Sequence, residues 1–327
     1  MTTAMATPDI SVVIAAFNEA TNIAPMCAAL KEVLGPLGRH EVIFVEDGST
    51  DGTLDAIRAA AARDPAVRYV SLTRNFGHQT CLRAGLRHAR GRAVVVMDAD
   101  FEHPPELLPE LIAQWRSGHK VVTTRRIDEG ETSWFKRASS KLYYRILNAL
   151  GDVHIEPGSA DYLLIDRVAV DAVNAIEDHE LFLRGAVRWF GYPLATVPYR
   201  RGTRTQGETK YSLRRLVELA VTGIAAHSIR PLRFAIWLSL GFAALGALLI
   251  LYSIASFFFV ERTVVGWTSL MAALAILGAV QLLVLGIIGE YVGRILRETR
   301  KRPHYVIAET EADRPPSNIR AIPSANE

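Results

Sequence analysis

From Asp9 to about Arg200, short runs of β-branched and other apolar residues alternate with longer stretches whose apolar positions recur near the helical period. The runs Ile10–Ala16, Val42–Asp47, Arg68–Leu72, Ala93–Asp98, Val121–Thr124 and Tyr162–Ile165 are each apolar enough to predict strands buried on both faces. Between them, Thr21–Leu34, Leu54–Arg63, Gln79–Ala89 and Pro105–Ser117 predict helices. Strand, helix, strand in succession predicts an α/β domain with a mostly parallel sheet and right-handed crossovers. Ligands in such sheets bind beyond the carboxyl ends of the strands. The residues to watch are therefore Asn18 and Glu19, then Glu46-Asp47-Gly48-Ser49, then Arg74-Asn75, then Asp98-Ala99-Asp100.

Toward the C-terminus the pattern changes. Phe234–Val260 and Thr263–Gly289 contain no charged residue, and each exceeds the ~20 residues that cross a bilayer core. Soluble helices of such length carry a polar face, so two spans are expected. Arg214, Arg215, Arg230 and Arg233 precede the first; Arg294, Arg297, Arg300, Lys301 and Arg302 follow the second. The turn at Glu261-Arg262 has little positive charge, so the positive-inside bias places both flanks in the cytosol. The expected organisation is a cytosolic domain (1–211), an amphipathic interface segment (212–233), two transmembrane helices (234–260 and 263–289) joined by a short outside turn (261–262), and a basic flank with a disordered tail (290–327). The polar N-terminal lead has no basic n-region and reads as no secretory signal. Trp134–Leu150, basic and aromatic, has the same interfacial character as Ser212–Ile229, although either segment could equally pack on the sheet.

Composition adds limits. Half of the 327 residues are hydrophobic, which argues against disorder or a purely soluble enzyme, and a net charge of +3 gives no reason to expect nucleic acid as a partner. Cys27 and Cys81 have no metal-ligand spacing and fit a reducing compartment. Neither a G-x-G-x-x-G after the first strand nor a P-loop is present. Acids stand at the strand ends instead. If the chain remains extended, Asp98 and Asp100 leave on one side, and such a pair suits a hard divalent ion, Mg²⁺ or Mn²⁺, shared with substrate phosphates. His103, His154, His179 and His227 show no metal spacing and read as structural.

Ser11-Val-Val-Ile-Ala-Ala-Phe-Asn18-Glu19, Val45-Glu-Asp47-Gly-Ser-Thr-Asp51, and Val94-Val-Val-Met-Asp98-Ala-Asp100-Phe-Glu102 resemble the three ordered signatures of family 2 glycosyltransferases with the glycosyltransferase-A fold. Arg74-Asn-Phe-Gly77, Ser159-Ala-Asp161-Tyr-Leu-Leu, Phe182-Leu-Arg184-Gly185 and Arg204-Thr-Gln-Gly207-Glu-Thr-Lys210-Tyr211, followed by two spans, resemble the polyprenyl-phosphate glycosyltransferases, the bacterial relatives of dolichyl-phosphate mannose synthase. The resemblance implies that the segment from Ala16 through Phe17 to Glu19, together with Asp47, holds the nucleotide base and ribose. It places Asp98 close to the nucleotide and makes Asp100 the metal ligand, with Asp98 and Glu102 beside it. Four positions depart from the family pattern: Glu102 stands where Gln is usual, Leu163 where Arg is frequent, Ala15 where Pro is usual and Glu46 where Asp is frequent.

The implied reaction is inverting transfer of a sugar from a nucleotide-diphosphate sugar, UDP-linked by the weight of bacterial relatives, to polyprenyl (undecaprenyl) phosphate. It places the enzyme in a bacterial inner membrane with both termini cytosolic. A phosphate monoester has its second pKa near ~6 and is largely doubly ionised at neutral pH, so a strong general base is dispensable. Asp161 is then expected to orient or balance charge near the acceptor, and Arg204 and Lys210 to contact its phosphate. Relatives form homo-oligomers, which extends to this chain as an expectation. Two other readings compete. A processive synthase would carry Gln where Gly185 stands before Arg188-Trp189, and would need more spans. A membrane-anchored nucleotide-sugar binding module without turnover would not need the acids at 47, 98 and 100.

Overall fold

In a computed structural model, residues 7–127, 158–178, 181–200, 230–259 and 266–313 are described. The chain forms two compact units: one from 1–141, 155–210 and 302–327, the other from 142–154 and 211–301. The first is built on an eight-stranded sheet in which β1 (Ile10–Ala16), β2 (His40–Glu46), β3 (Val67–Leu72), β4 (Ala93–Asp98), β5 (Val121–Ile127), β6 (Ser159–Asp166), β7 (Leu194–Arg200) and β8 (Ile307–Thr310) lie in the order β7-β5-β6-β4-β1-β2-β3-β8. The pairings β4-β1-β2-β3 and β5-β7 are parallel, whereas β6 runs antiparallel to both β4 and β5, and β8 runs antiparallel to β3. The sheet is thus mostly parallel, and the six strands expected from the apolar runs are all present.

Two apolar layers explain why those runs are so apolar. Val12, Ile14 and Phe44 face a cluster with Ile23, Met26 and Leu30 of α1 (Ala20–Leu34), Ile57 of α2 (Thr53–Arg63) and Leu108, Leu111 and Ile112 of α4 (Leu108–Arg116). Val13, Ile43 and Val45 face the opposite cluster with Leu82 and Leu86 of α3 (His78–His88), Val170 of α5 (Arg167–Asn174) and Val187 of α6 (Leu183–Trp189). Every side chain of Val12–Ile14 is fully buried. Burial of each such side chain is worth about 1.5–3 kcal/mol. Gly85 lets α3 lie on the sheet, since a Cβ there would stand 2.1 Å from Val13 Cγ1.

Two strands go beyond the sequence reading. β7 holds Pro198, which suits an edge strand because its missing N–H can face outward. β8 corrects the expectation of a disordered tail as far as residue 313; residues 314–327 lie outside the described residues. Thr73 N donates to Val306 O (3.0 Å), and Glu309 takes a forked pair of bonds from Arg58 (both 2.7 Å) and another from Tyr69 Oη (3.1 Å). Glu311 accepts from Arg68 Nε at 2.6 Å. Two acids of the tail, Glu309 and Glu311, are what fasten it.

The second unit contains α7 (Arg230–Phe259) and α8 (Trp267–Thr299), which pack on each other and expose apolar side chains such as Leu248, Leu251, Leu282 and Leu285. α8 does not end near Gly289 as expected but continues through the basic residues to Thr299. Among the described residues one stretch, Ile276–Thr299, is long and apolar enough to cross a membrane; Ala235–Leu248 of α7 is a shorter apolar helix. Two spans are therefore not established by the helices alone. The segments Trp134–Leu150 and Ser212–Ile229, together with Arg204, Lys210, His154, His179 and His227, lie outside the described residues.

Candidate active site

The carboxyl ends of β1, β2, β3 and β4 and the start of the antiparallel β6 meet along one edge of the sheet. Over β1 and β2 the loops are stitched together. Asn18, at φ 57°, accepts from Thr50 N on its Oδ1 (2.9 Å), while its own N–H donates to Ser49 Oγ (3.0 Å). Glu19 N donates to Thr53 Oγ1 (2.8 Å), and Asp51 accepts from Ala20 N (3.3 Å) and Thr53 N (2.9 Å). Desolvation pushes the Asp51 carboxyl upward, but the bonds from the Thr53 hydroxyl and the backbone prevail and hold it below the usual carboxylate range.

Glu46 and Asp47, both buried, complete the frame. Glu46 accepts from Ser49 N and from Ser71 Oγ (2.7 Å). Asp47 receives Phe76 N (2.7 Å) on one oxygen and Gly77 N (2.9 Å) on the other, so it shapes the turn that opens α3. Gly48, at φ 68°, brings the loops close, for a Cβ there would lie 2.5 Å from the Arg74 carbonyl carbon. Phe17 is exposed beside this frame and Glu19 is half-buried, its Oε2 accepting from Asn22 Nδ2 at 2.5 Å.

The other half of the edge carries the acids. β4 ends at Asp98, so strand alternation does not carry on to Asp100; a turn with Phe101 at φ 61° follows, closed by Glu102 N donating to Asp100 Oδ1 (3.0 Å). Asp98, Asp100 and Glu102 are all half-buried. The antiparallel register pairs Val96 with Leu163, and beyond that pair Asp98 and Asp161 lie on either side of one histidine. His78 stands between them, with Nε2 3.6 Å from Asp98 Oδ1 and 3.7 Å from Asp161 Oδ2.

Asp161 accepts a bond from Gln79 Nε2 (3.0 Å) and faces Arg184 Nε at 2.7 Å. That last contact is a charge contact without hydrogen-bond alignment: Asp161 Oδ1 and Arg184 Nε are both buried and, among the described residues, have no hydrogen-bond partner. Arg184 Nη1 donates to Ser159 O (2.8 Å). Leu163 is fully buried in the apolar layer on the α3 and α6 side, and Arg184 supplies the cation beside Asp161 from α6.

Beneath Asp98 lies His103, stacked on Tyr162 (centroids 4.9 Å apart) and edge-on to Tyr199. Burial lowers its pKa against the pull of Asp98 and its neighbours. Its Nδ1 accepts from Asp98 N (3.0 Å), which assigns the proton to Nε2 and makes the 3.5 Å approach to Asp98 Oδ2 no ion pair. Cys27 and Cys81 stay protonated thiols. Burial and then Asp64 push Cys27 up to about 11, and burial and then Asp47 raise Cys81 further.

Among the described residues no three His, Cys, Asp or Glu side chains form a ready-made metal cage. The turn Asp98–Glu102 instead offers a few hard oxygen donors at an accessible strand end. Such a set suits Mg²⁺ or Mn²⁺ held by one or two carboxylates and completed by substrate phosphates. His78 and Gln79 carried no signal in the sequence beyond their place at a helix start.

Residues 11–173 match the Glycosyl transferase family 2 profile and residues 230–295 match the GtrB C-terminal hairpin. An uncharacterised glycosyltransferase, YkcC, of Bacillus subtilis is 35% identical, covering 92% of this chain and 93% of its own. A prophage bactoprenol glucosyl transferase homolog of Escherichia coli is 34% identical, over 91% of this chain and 98% of its own. The solved mannosyltransferase PcManGT of Pyrobaculum calidifontis, in complex with GDP-Man and Mn²⁺, is 18% identical with a TM-score of 0.49, over 91% of this chain and 89% of that one.

Proposed function

Because the chain belongs to glycosyl transferase family 2, in the polyprenyl-phosphate branch that carries a C-terminal hairpin, we propose that it moves a sugar from a UDP-sugar to polyprenyl phosphate at the cytosolic face of a bacterial inner membrane. The names of the bactoprenol glucosyl transferase relatives make glucose the first sugar to test. The observation that carries the reading is the meeting, on one sheet edge, of the stitched loops around Asp47 with the acids Asp98 and Asp161 across His78.

The nucleotide base and ribose lie against Ala16–Glu19 and the frame that Asp47 shapes. A phosphate oxygen of the acceptor attacks the anomeric carbon as the bond to the diphosphate breaks, with inversion, and the departing nucleotide keeps the electron pair. The acceptor is already ionised, so Asp161 need not take a proton. Its role is to orient and balance charge, with Arg184 meeting the anion and Arg204 and Lys210 adding cations from the 201–210 segment. Asp100, with Asp98 and Glu102, would hold Mg²⁺ or Mn²⁺, which when bound neutralises charge gathering on the diphosphate.

The 30 residues of α7 and the 33 of α8 give lengths of about 45 and 50 Å, enough for two passes through a core of roughly 30 Å. Their basic flanks keep both termini cytosolic. Membranes containing the protein should convert UDP-glucose and undecaprenyl phosphate to a lipid-linked sugar detected by mass. Asp100→Ala should lower the rate roughly 10³-fold, as loss of several kcal/mol of charge stabilisation requires. Nucleotide-sugar binding without lipid product for any donor in a panel would overturn the reading.

A further inference from the structure

We propose that Gln79 is the positioning residue that sets the Asp161 carboxylate, and through α6 its companion Arg184, for sugar transfer. The inference rests on the functional reading above. Asp161 has a side chain only 10% exposed, and among the described residues Gln79 is the one group that hydrogen-bonds it. The orientation of the Gln79 amide is fixed, because its Oε1 accepts from Leu183 N (3.1 Å), leaving Nε2 to face Asp161 Oδ2. Leu183 is the first residue of α6 and Arg184, the cation against Asp161 Oδ1, is the next. One side chain thus ties the acid on β6 to the helix that carries its counter-charge. Gln79 is itself placed by the turn that Asp47 holds through Phe76 and Gly77. Among the described residues Arg184 Nε meets the other oxygen at 2.7 Å without hydrogen-bond alignment, so the directional bond on Asp161 comes from Gln79.

The test compares Gln79→Leu, Gln79→Glu, Asp161→Asn and the Gln79→Leu/Asp161→Asn double variant in the full-length membrane protein. Undecaprenyl phosphate kinetics and UDP affinity are both measured. Loss of alignment by about an ångström can cost roughly 10²-fold, so Gln79→Leu is expected to lower kcat/KM for the lipid by about that factor. Gln79→Glu, which places a carboxylate against Asp161, should do at least as much. UDP affinity should stay within about twofold, which also shows that the variants fold. If Gln79 works through Asp161, the double variant is no more than about threefold slower than Asp161→Asn alone. Multiplying effects in the double variant, or UDP affinity falling in step with turnover, would overturn the proposal. Wild-type protein that forms no lipid product overturns the functional reading and this inference together, whereas active wild type with unimpaired Gln79→Leu overturns this inference alone.

Discussion

Over β1, β2 and β3 the loops at the carboxyl edge hold one another: Asn18, Ser49, Thr50, Asp51 and Thr53 exchange hydrogen bonds across two loops, and both oxygens of Asp47 are occupied by backbone N–H groups. Over β4 and β6 the acids Asp98 and Asp161 are met by side chains rather than by a loop's backbone. Asp98 and Asp161 share a histidine at 3.6 and 3.7 Å, and Asp161 Oδ1 meets Arg184 Nε at 2.7 Å without hydrogen-bond alignment. The first region has the character of a preassembled frame, whose polar capacity is spent on its own shape. The second presents charged side chains, Asp98, His78, Asp161 and Arg184, at the strand ends.

If the β1–β3 region is a rigid frame, the largest effect should come from crowding its closest approach. Gly48→Ala forces a Cβ into the Arg74 backbone at a left-handed position and should cost about 3 kcal/mol, read as a drop in melting temperature together with weakened UDP binding. Normal UDP affinity in that variant would show that the loops adapt, erasing the contrast between the two halves. A smaller loss, about 1–2 kcal/mol after allowance for partial exposure, is expected for Glu309→Ala, which removes the forked contact with Arg58 and the bond from Tyr69. Its effect should appear in thermal unfolding before it appears in turnover.

The smallest effect concerns pH. The folded-state pKa of Asp51 lies below its ordinary 3.8 because the bonds from Thr53 and Ala20 outweigh desolvation. Its contribution to stability is therefore complete above the unfolded value and disappears as pH falls through the lower folded one. Melting curves from pH 6 to pH 3 should fall less steeply for Asp51→Asn than for wild type. Equal slopes would remove Asp51 from the frame.

What could be read from the sequence follows from which interactions are local. Apolar runs expose β1 to β6 because burial on both faces leaves no polar alternation to mask them. Asp98 and Asp100 stand out because two acids follow a buried strand. β8 was hidden: Arg58 and Arg68, which hold Glu309 and Glu311, are some 240–250 positions away, and four residues that include one acid and precede another look like solvated chain. Gln79 was hidden for a related reason. A glutamine in the first turn of a helix is ordinary, and only the pairing of β4 with β6 brings Asp161 within its reach. Asp100 shows the limit of the period-two argument, which holds only while the strand lasts, and β4 stops at Asp98.

The closing strand also bears on how the enzyme can be handled. Cutting the gene ahead of the apolar helices to obtain a water-soluble fragment would discard Ile307–Thr310 as well, because the sheet takes its last member from beyond them. Such a fragment would present the bare rim of β3, with Arg58 and Arg68 stripped of Glu309 and Glu311, to any neighbouring molecule able to add a strand. Precipitation of that fragment would then report a missing edge and say nothing about the chemistry. Splicing residues 303–313 back on through a flexible linker is the remedy the topology suggests.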